Sequence, residues 1–362
     1  MIKKRFISML VLLAAVVTGA VAQTTYKVSV KEGTEDAPSW TIAPAEATTT
    51  GVAAGTTVTA TYSGTKKVKS VKAVKKAAPA GTDLSTINAN YTASDGETLT
   101  GTLASNVKIS IADGATVTLK DVNINGSGTW TSGNYAGITC AGDATITLEG
   151  TNTVKGFANG YPGIFVSSGK TLVINGTGEL NASSNGTYDT GSGGAGIGGG
   201  NNMNCGNIEI QSGTVTATGN QYGAGIGGGQ SANCGNITIS GGTVTATGGY
   251  RAAGIGGGRR GASGTKNGYD SGSCGNITIS GGTVTATGGE DAAGIGGGRG
   301  NNNAYKSSCG TITITSGVTK VTATKGESAD NSIGAGNVGI CGTVTIGGNV
   351  GAITTSPYTY QP

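Results

Sequence analysis

The chain contains no histidine in its 362 residues, which removes the commonest general base and the commonest transition-metal ligand together. Zinc chemistry and Ser-His-Asp hydrolysis lose their usual participants. Carboxylates are sparse as well. Glu149, Glu179, Glu209, Asp270, Glu290 and Asp291 fall at different places in the chain's repeating pattern. They therefore form no stacked cluster of the kind a glycosidase pair or a calcium-assisted lyase needs. No amphipathic helical stretch occurs, so a barrel or doubly wound sheet covered by helices is excluded. The one long apolar run, residues 6–17, is too short to anchor a helix in a bilayer.

What the chain has in abundance is glycine, 70 residues against three phenylalanines. Short strands that need a turn every few positions account for that balance. Residues 196–200, 225–229, 254–258 and 294–298 all read Gly-Ile-Gly-Gly-Gly, at intervals of 29, 29 and 40 residues. Each is followed by a Cys-Gly, an Ile-x-Ile segment and a Val-Thr-Ala-Thr segment. The longest interval repeats the same words, so its extra residues belong to a loop between Gly258 and Cys274.

Self-similarity at this period marks a solenoid, because one such unit cannot bury its apolar face without a stacked neighbour. Three short strands per unit predict a right-handed parallel β-helix of about eight rungs. Its solenoid character begins near Leu99, with divergent units before Gly196. Alternation turns Ile237, Ile239, Val244 and Ala246 inward and Thr238 outward. It also predicts columns of Ile208, Ile237, Ile277 and Ile312, and of Val215, Val244, Val284 and Val321.

The chain before this region divides in two. Lys3, Lys4 and Arg5, the apolar run and the small-residue site Ala20-Val21-Ala22 have the three parts of a secretory leader, so residues 1–22 are expected to be removed. Loss of those three basic residues takes the formal charge from +4 to +1. A near-neutral protein is a poor fit to nucleic acid. Residues 23–80 read as a small all-β module ending in a lysine-rich edge strand (Lys66, Lys67, Lys69, Lys72, Lys75 and Lys76), and residues 81–362 as the repeat domain.

Several motifs invite chemistry. Residues 194–199 and 223–228 match G-x-G-x-x-G, but that motif cradles a pyrophosphate only where a helix follows. Cys205, Cys234, Cys274, Cys309 and Cys341 share one place in successive units and predict a column along the solenoid. The expectation is a ladder of mostly free, filling thiols, with one or two bridges within reach, and Cys140 outside the register. No metal is expected there, as the spacing resembles no C-x-x-C site. Thr216 and Thr218, with their equivalents at 245 and 247, 285 and 287, and 322 and 324, predict outward threonine columns. A flat Thr-x-Thr face is similar to that of ice-binding β-helices, which keeps ice binding as an alternative.

The best binding candidates are the loops that follow each Gly-Ile-Gly-Gly-Gly, since insertions along one edge of a solenoid carry its function. Arg259, Arg260, Tyr269, Asp270, Arg299, Asn301, Asn302 and Tyr305 supply stacking faces, amides and guanidinium forks suited to carbohydrate. Glu290 and Asp291 read as solvated loop charges, with Ca²⁺ as the one cofactor left open.

On its Gly-Ile-Gly-Gly-Gly and Cys-Gly-Asn-Ile-Thr-Ile words, the chain resembles the secreted, pectate-lyase-like β-helix proteins of gut bacteria, glycan-associated and adhesin-like. That resemblance implies a secreted or surface-exposed, non-catalytic protein whose partner is a polysaccharide, a surface glycan or a host protein. With the apolar run too short to anchor a helix, no membrane-spanning segment is expected in the mature chain. A polysaccharide lyase or glycoside hydrolase on the same fold is the alternative, because fold alone does not fix activity.

Overall fold

A computed structural model describes residues 81–126, 135–186, 192–261, 272–302 and 306–362, and the backbone of six strands before residue 81. The chain divides into two compact units, Met1–Ala78 and Pro79–Pro362.

In the first unit, Thr57–Tyr62 pairs antiparallel with Ile7–Leu12 on one side and Trp40–Ala43 on the other. Thr25–Val30 lies between Val52–Ala53 and Val71–Lys75. Val71–Lys75 is therefore an edge strand of its sheet. Lys66, Lys67, Lys69 and Lys76 lie outside the described residues.

The second unit is a parallel β-helix. Its first face is a sheet of nine strands, from Tyr91–Ala93 to Ile333–Gly334. The second face stacks the Ile-x-Ile strands, with Ile208 paired to Ile237, Ile237 to Ile277 and Ile277 to Ile312. On the third face Val215, Val244, Val284 and Val321 follow one another in register. All eight of these side chains are 0% exposed. Burying each contributes about 1.5–3 kcal/mol. The threonines between them point outward in register as expected, Thr216 to Thr245 to Thr285 to Thr322.

Nine strands on the first face agree with the expected count of about eight rungs, and parallel stacking begins before Leu99, with Thr82–Asp83 paired to Leu99–Thr100 and Tyr91–Ala93 to Ile109–Ile111. This first rung lacks the glycine words. It is closed by Glu97, whose buried carboxylate accepts from the Tyr91 and Thr82 hydroxyls and from the Ser94 N–H at 2.8 Å. At the other end Tyr358–Tyr360 pairs antiparallel with Lys320–Thr324, and Asn349–Val350 with Val344–Ile346. These reversals end the parallel stack, as terminal repeats of a solenoid must.

The glycine word has a specific cause. Gly198, Gly227, Gly256, Gly296 and Gly334 have φ between 131° and 138°, a region open to glycine and closed to ordinary side chains. Space gives the same answer, since a Cβ on Gly227 would lie 2.0 Å from the Gly256 carbonyl oxygen of the next rung. The Gly-Ile-Gly run is thus a pinch where adjacent backbones touch. Its N–H groups stay in the ladder, with Gly228 N donating to Gly256 O at 2.9 Å. No helix follows. Among the described residues the single helical element is a 3₁₀ turn at Leu84–Thr86, so the G-x-G-x-x-G matches have no helix N-terminus to offer a phosphate.

The Cys-Gly-Asn words build a second ladder. Asn207 Oδ1 accepts from Asn236 N at 2.9 Å, Asn236 Oδ1 from Asn276 N at 2.8 Å, and Asn276 Oδ1 from Thr311 N at 2.9 Å. Each amide satisfies a backbone N–H at the corner where the chain turns into the second face.

The cysteine column is real but is not mostly free thiols. Cys205–Cys234 and Cys309–Cys341 are bridged, each pair with Cα atoms 4.5 Å apart, and Cys274 and Cys140 are free and buried. In-register corners bring neighbouring Cα atoms inside the disulfide range, so four of the five column cysteines pair.

Candidate ligand-binding edge

Past the pinch, each rung releases a loop before the second face begins. The residue right after the glycine word falls in one column: Asn201, Gln230, Arg259, Arg299 and then Asn337. The last four are each tied by the backbone N–H to a residue that stands before a glycine word or its equivalent. Gln230 N donates to Gly193 O at 2.7 Å, Arg259 N to Tyr222 O at 2.9 Å, Arg299 N to Arg251 O at 2.9 Å and Asn337 N to Asp291 O at 2.8 Å. On the other side Ser231 N donates to Arg259 O, and Arg260 N to Arg299 O, both at 2.9 Å. These backbone bonds hold the edge as part of the ladder.

Two adjacent columns of side chains result, and they interlock. The Arg259 guanidinium lies over the Tyr222 ring, 4.5 Å from its centroid. Arg251 lies 4.9 Å from the centroid of Tyr250. Asp291 Oδ2 accepts from Arg251 Nε at 3.2 Å and is paired with an Arg299 terminal nitrogen at 3.3 Å. Asp291 Oδ1 accepts from Asn337 Nδ2 at 3.2 Å.

Asp291 is therefore no solvated loop charge. It is 7% exposed and works as an anchor that fans two arginines along the edge. Its lone pairs are committed, so it is not placed as a general acid or base.

Positive charge outnumbers negative here. Burial, with the charges of Arg251 and Arg299 nearby, pulls the Arg259 pKa below the usual arginine value, against the opposing influence of Tyr222. The guanidinium keeps its proton at neutral pH. Among the described residues, buried side-chain atoms without a hydrogen-bond partner include Gln230 Oε1, Arg259 Nε and Arg299 Nε, three neighbours in one column. Leaving such groups unmatched is unfavourable by about 1–3 kcal/mol each, more when charged.

Of the residues named from sequence, Arg259, Arg260 and Arg299 come together on adjacent rungs, with Arg260 donating to the Lys306 carbonyl at 2.9 Å. Asn301 and Asn302 follow Arg299 in the same loop, half-buried and exposed. Tyr269, Asp270 and Tyr305 lie outside the described residues. Sequence reading missed Tyr222, Tyr250 and Arg251, and misjudged Asp291. A signal was present: Tyr222, Arg251 and Asp291 each stand three residues before the first glycine of the next word. Among the described residues no three His, Cys, Asp or Glu side chains are grouped to hold a metal ion.

A family model described as a beta helix repeat matches residues 208–230, 237–259 and 277–299. Each matched segment runs from an Ile-x-Ile strand to the edge position, ending at Gln230, Arg259 and Arg299. No curated protein and no solved structure matches the chain. No helix among the described residues is long and apolar enough to cross a membrane.

Proposed function

We propose that this β-helix is a non-catalytic binding protein that takes an acidic polysaccharide, one bearing carboxylate or sulfate groups, along the Arg251, Arg259 and Arg299 edge. The observation that carries this reading is the run of Arg251, Arg259 and Arg299 along one ladder edge, with Arg259 and Arg251 stacked on the Tyr222 and Tyr250 rings. Guanidinium forks pair bidentately with planar anions. Tyrosine faces stack on sugar rings, and Arg259 and Arg299 take the same place on adjacent rungs, one strand spacing of about 4.8 Å apart. A polymer with repeating charge suits a repeating edge.

Export belongs to the same proposal, since the leader-like residues 1–22 would bring the chain to an outer surface or the medium, where such polymers occur. The experiment is a panel of neutral, uronate and sulfated polysaccharides against residues 23–362, with and without Ca²⁺, monitored for new unsaturated ends. Binding of acidic members without cleavage is the expected result. Cleavage would return the protein to the lyases, and a preference for neutral glycans would remove the arginines from the mechanism.

A second reading has its own observation. Thr214, Thr216 and Thr218 stack on Thr243, Thr245 and Thr247, and these on Thr283, Thr285 and Thr287. That regular outward face is the feature an ice-binding protein would use, and thermal hysteresis would reveal it.

A further inference from the structure

Five cysteines stand in one column, and an odd number cannot pair off completely. With bridges confined to neighbouring rungs, two disulfides leave one thiol at the first, middle or last place: Cys205, Cys274 or Cys341. The structure holds the middle arrangement, with Cys274 free between Cys205–Cys234 and Cys309–Cys341. Cys274 forms a parallel β-bridge with Cys309 of the following rung. On the preceding rung Gly275 N donates to Cys234 O at 3.0 Å. A disulfide-bonded cysteine therefore stands on the neighbouring rung on either side of Cys274, whose Sγ lies 3.9 Å from the Gly296 carbonyl oxygen.

We propose that this free thiol relocates: Cys274 exchanges with the Cys309–Cys341 disulfide, forming Cys274–Cys309 and making Cys341 the modifiable thiol of the chain. In the step, the Cys274 thiolate attacks Cys309 Sγ, and the Cys309–Cys341 bond breaks. The electron pair departs on Cys341 Sγ, which takes up a proton equivalent to the one Cys274 lost. Two disulfides and one thiol stand on each side, so neither an oxidant nor a reductant is needed. Because the rungs stack along one axis, the attacking, central and leaving sulfurs come from three successive levels of one column.

The two possible directions differ in their leaving groups. Attack on Cys234 would release Cys205, which is 4% exposed, whereas Cys341 is half-buried on Gly339–Cys341, one strand of a two-stranded sheet. Cys341 also lines a cavity of about 300 Å³ with Asn331, Val344 and Val350. A thiolate released there is better solvated, leaves faster and meets small reagents. Burial pushes the Cys274 thiol up to about 12, so the exchange is slow near neutrality and quickens as pH rises. Modification of Cys341 traps the shifted pairing, because the return step needs its thiolate.

The test uses the full chain carrying Cys140→Ala, which removes the other free thiol. It is treated with iodoacetamide at mildly alkaline pH without reductant, then digested in acid and mapped for disulfides. The expected result is one label on Cys341 and a Cys274–Cys309 linked peptide, with labelling lost on adding Cys274→Ser. A label on Cys274 with Cys309–Cys341 intact, a label on Cys205, no label before unfolding, or Cys341 labelled equally fast in Cys274→Ser would each overturn the proposal. The unsubstituted column in the Cys140→Ala chain carries the main readout, so a folding defect in Cys274→Ser does not decide the outcome.

Discussion

The early and late rungs of the same solenoid solve the first face differently. In the early rungs this face is made by Ile109–Ile111, Ile138–Cys140 and Ile164–Val166, three residues each with two inward side chains. From Ile197–Gly198 onward it shrinks to two residues, one inward isoleucine and one glycine. The connection to the second face lengthens at the same point. Cys140 is followed by a strand starting at Ala144, but Gly256 by one starting at Ile277. Replacing a side chain by a backbone pinch frees the chain to leave the rung, and the arginine edge is built on that departure. The early rungs are packed by side chains, and the late rungs trade some of that packing for loops.

The largest expected effect comes from the pinch. Gly227→Ala meets both a φ of 131° and a carbonyl 2.0 Å from the new Cβ. Gly169→Ala, on an early rung, meets a φ of 76° and nothing within 4 Å. Denaturant unfolding should show a loss above about 3 kcal/mol at Gly227 and about 1 kcal/mol at Gly169. Equal losses would mean that the glycine word is not a contact between rungs.

Core truncation should distinguish the regions less sharply. Ile237→Ala and Ile146→Ala, both 0% exposed, should each lose about 2–5 kcal/mol, because the second face is packed alike throughout. A loss confined to one of them in the same unfolding measurement would show that the two regions unfold separately.

The corner ladders differ in chemistry, which gives a smaller test. On the early rungs Asp113 Oδ1 accepts from Asp143 N at 2.8 Å, where the late rungs use asparagine. That backbone bond, together with Lys170, holds the Asp113 carboxyl below the usual aspartate value. A carboxyl depressed in the folded state adds stability that is fully present above its unfolded pKa and is lost as pH falls through the folded value. Acid unfolding should therefore draw on Asp113 below about pH 4, and Asp113→Asn should flatten the curve there. Asn236 has no such dependence, so Asn236→Ala should lower stability by about 1 kcal/mol equally across the acid range. A pH-dependent loss at Asn236 would break the distinction.

The repeat architecture was legible because the words recur at fixed spacing and alternate by two. The first rung was not, since Tyr91-Thr92-Ala93 carries no glycine word and is held by the Glu97 hydrogen bonds. Which cysteines pair was also beyond reach, because equal spacing makes every neighbour an equal candidate. For the site, Arg259, Arg260 and Arg299 announced themselves by following the glycine word. Tyr222, Arg251 and Asp291 were hidden on its other side, where only the ladder bond from Arg259 N to Tyr222 O and its equivalents reveal that the two columns touch.

The measurement that tests the account most directly is calorimetric titration of a uronate oligosaccharide into residues 23–362, unchanged and as Arg259→Gln with Arg299→Gln, at two salt concentrations. The account predicts affinity that falls with salt and a loss of about tenfold or more in the double variant, since charge-assisted bonds are worth about 1.5–3 kcal/mol each. Equal affinity in both proteins, or binding indifferent to salt, would contradict it.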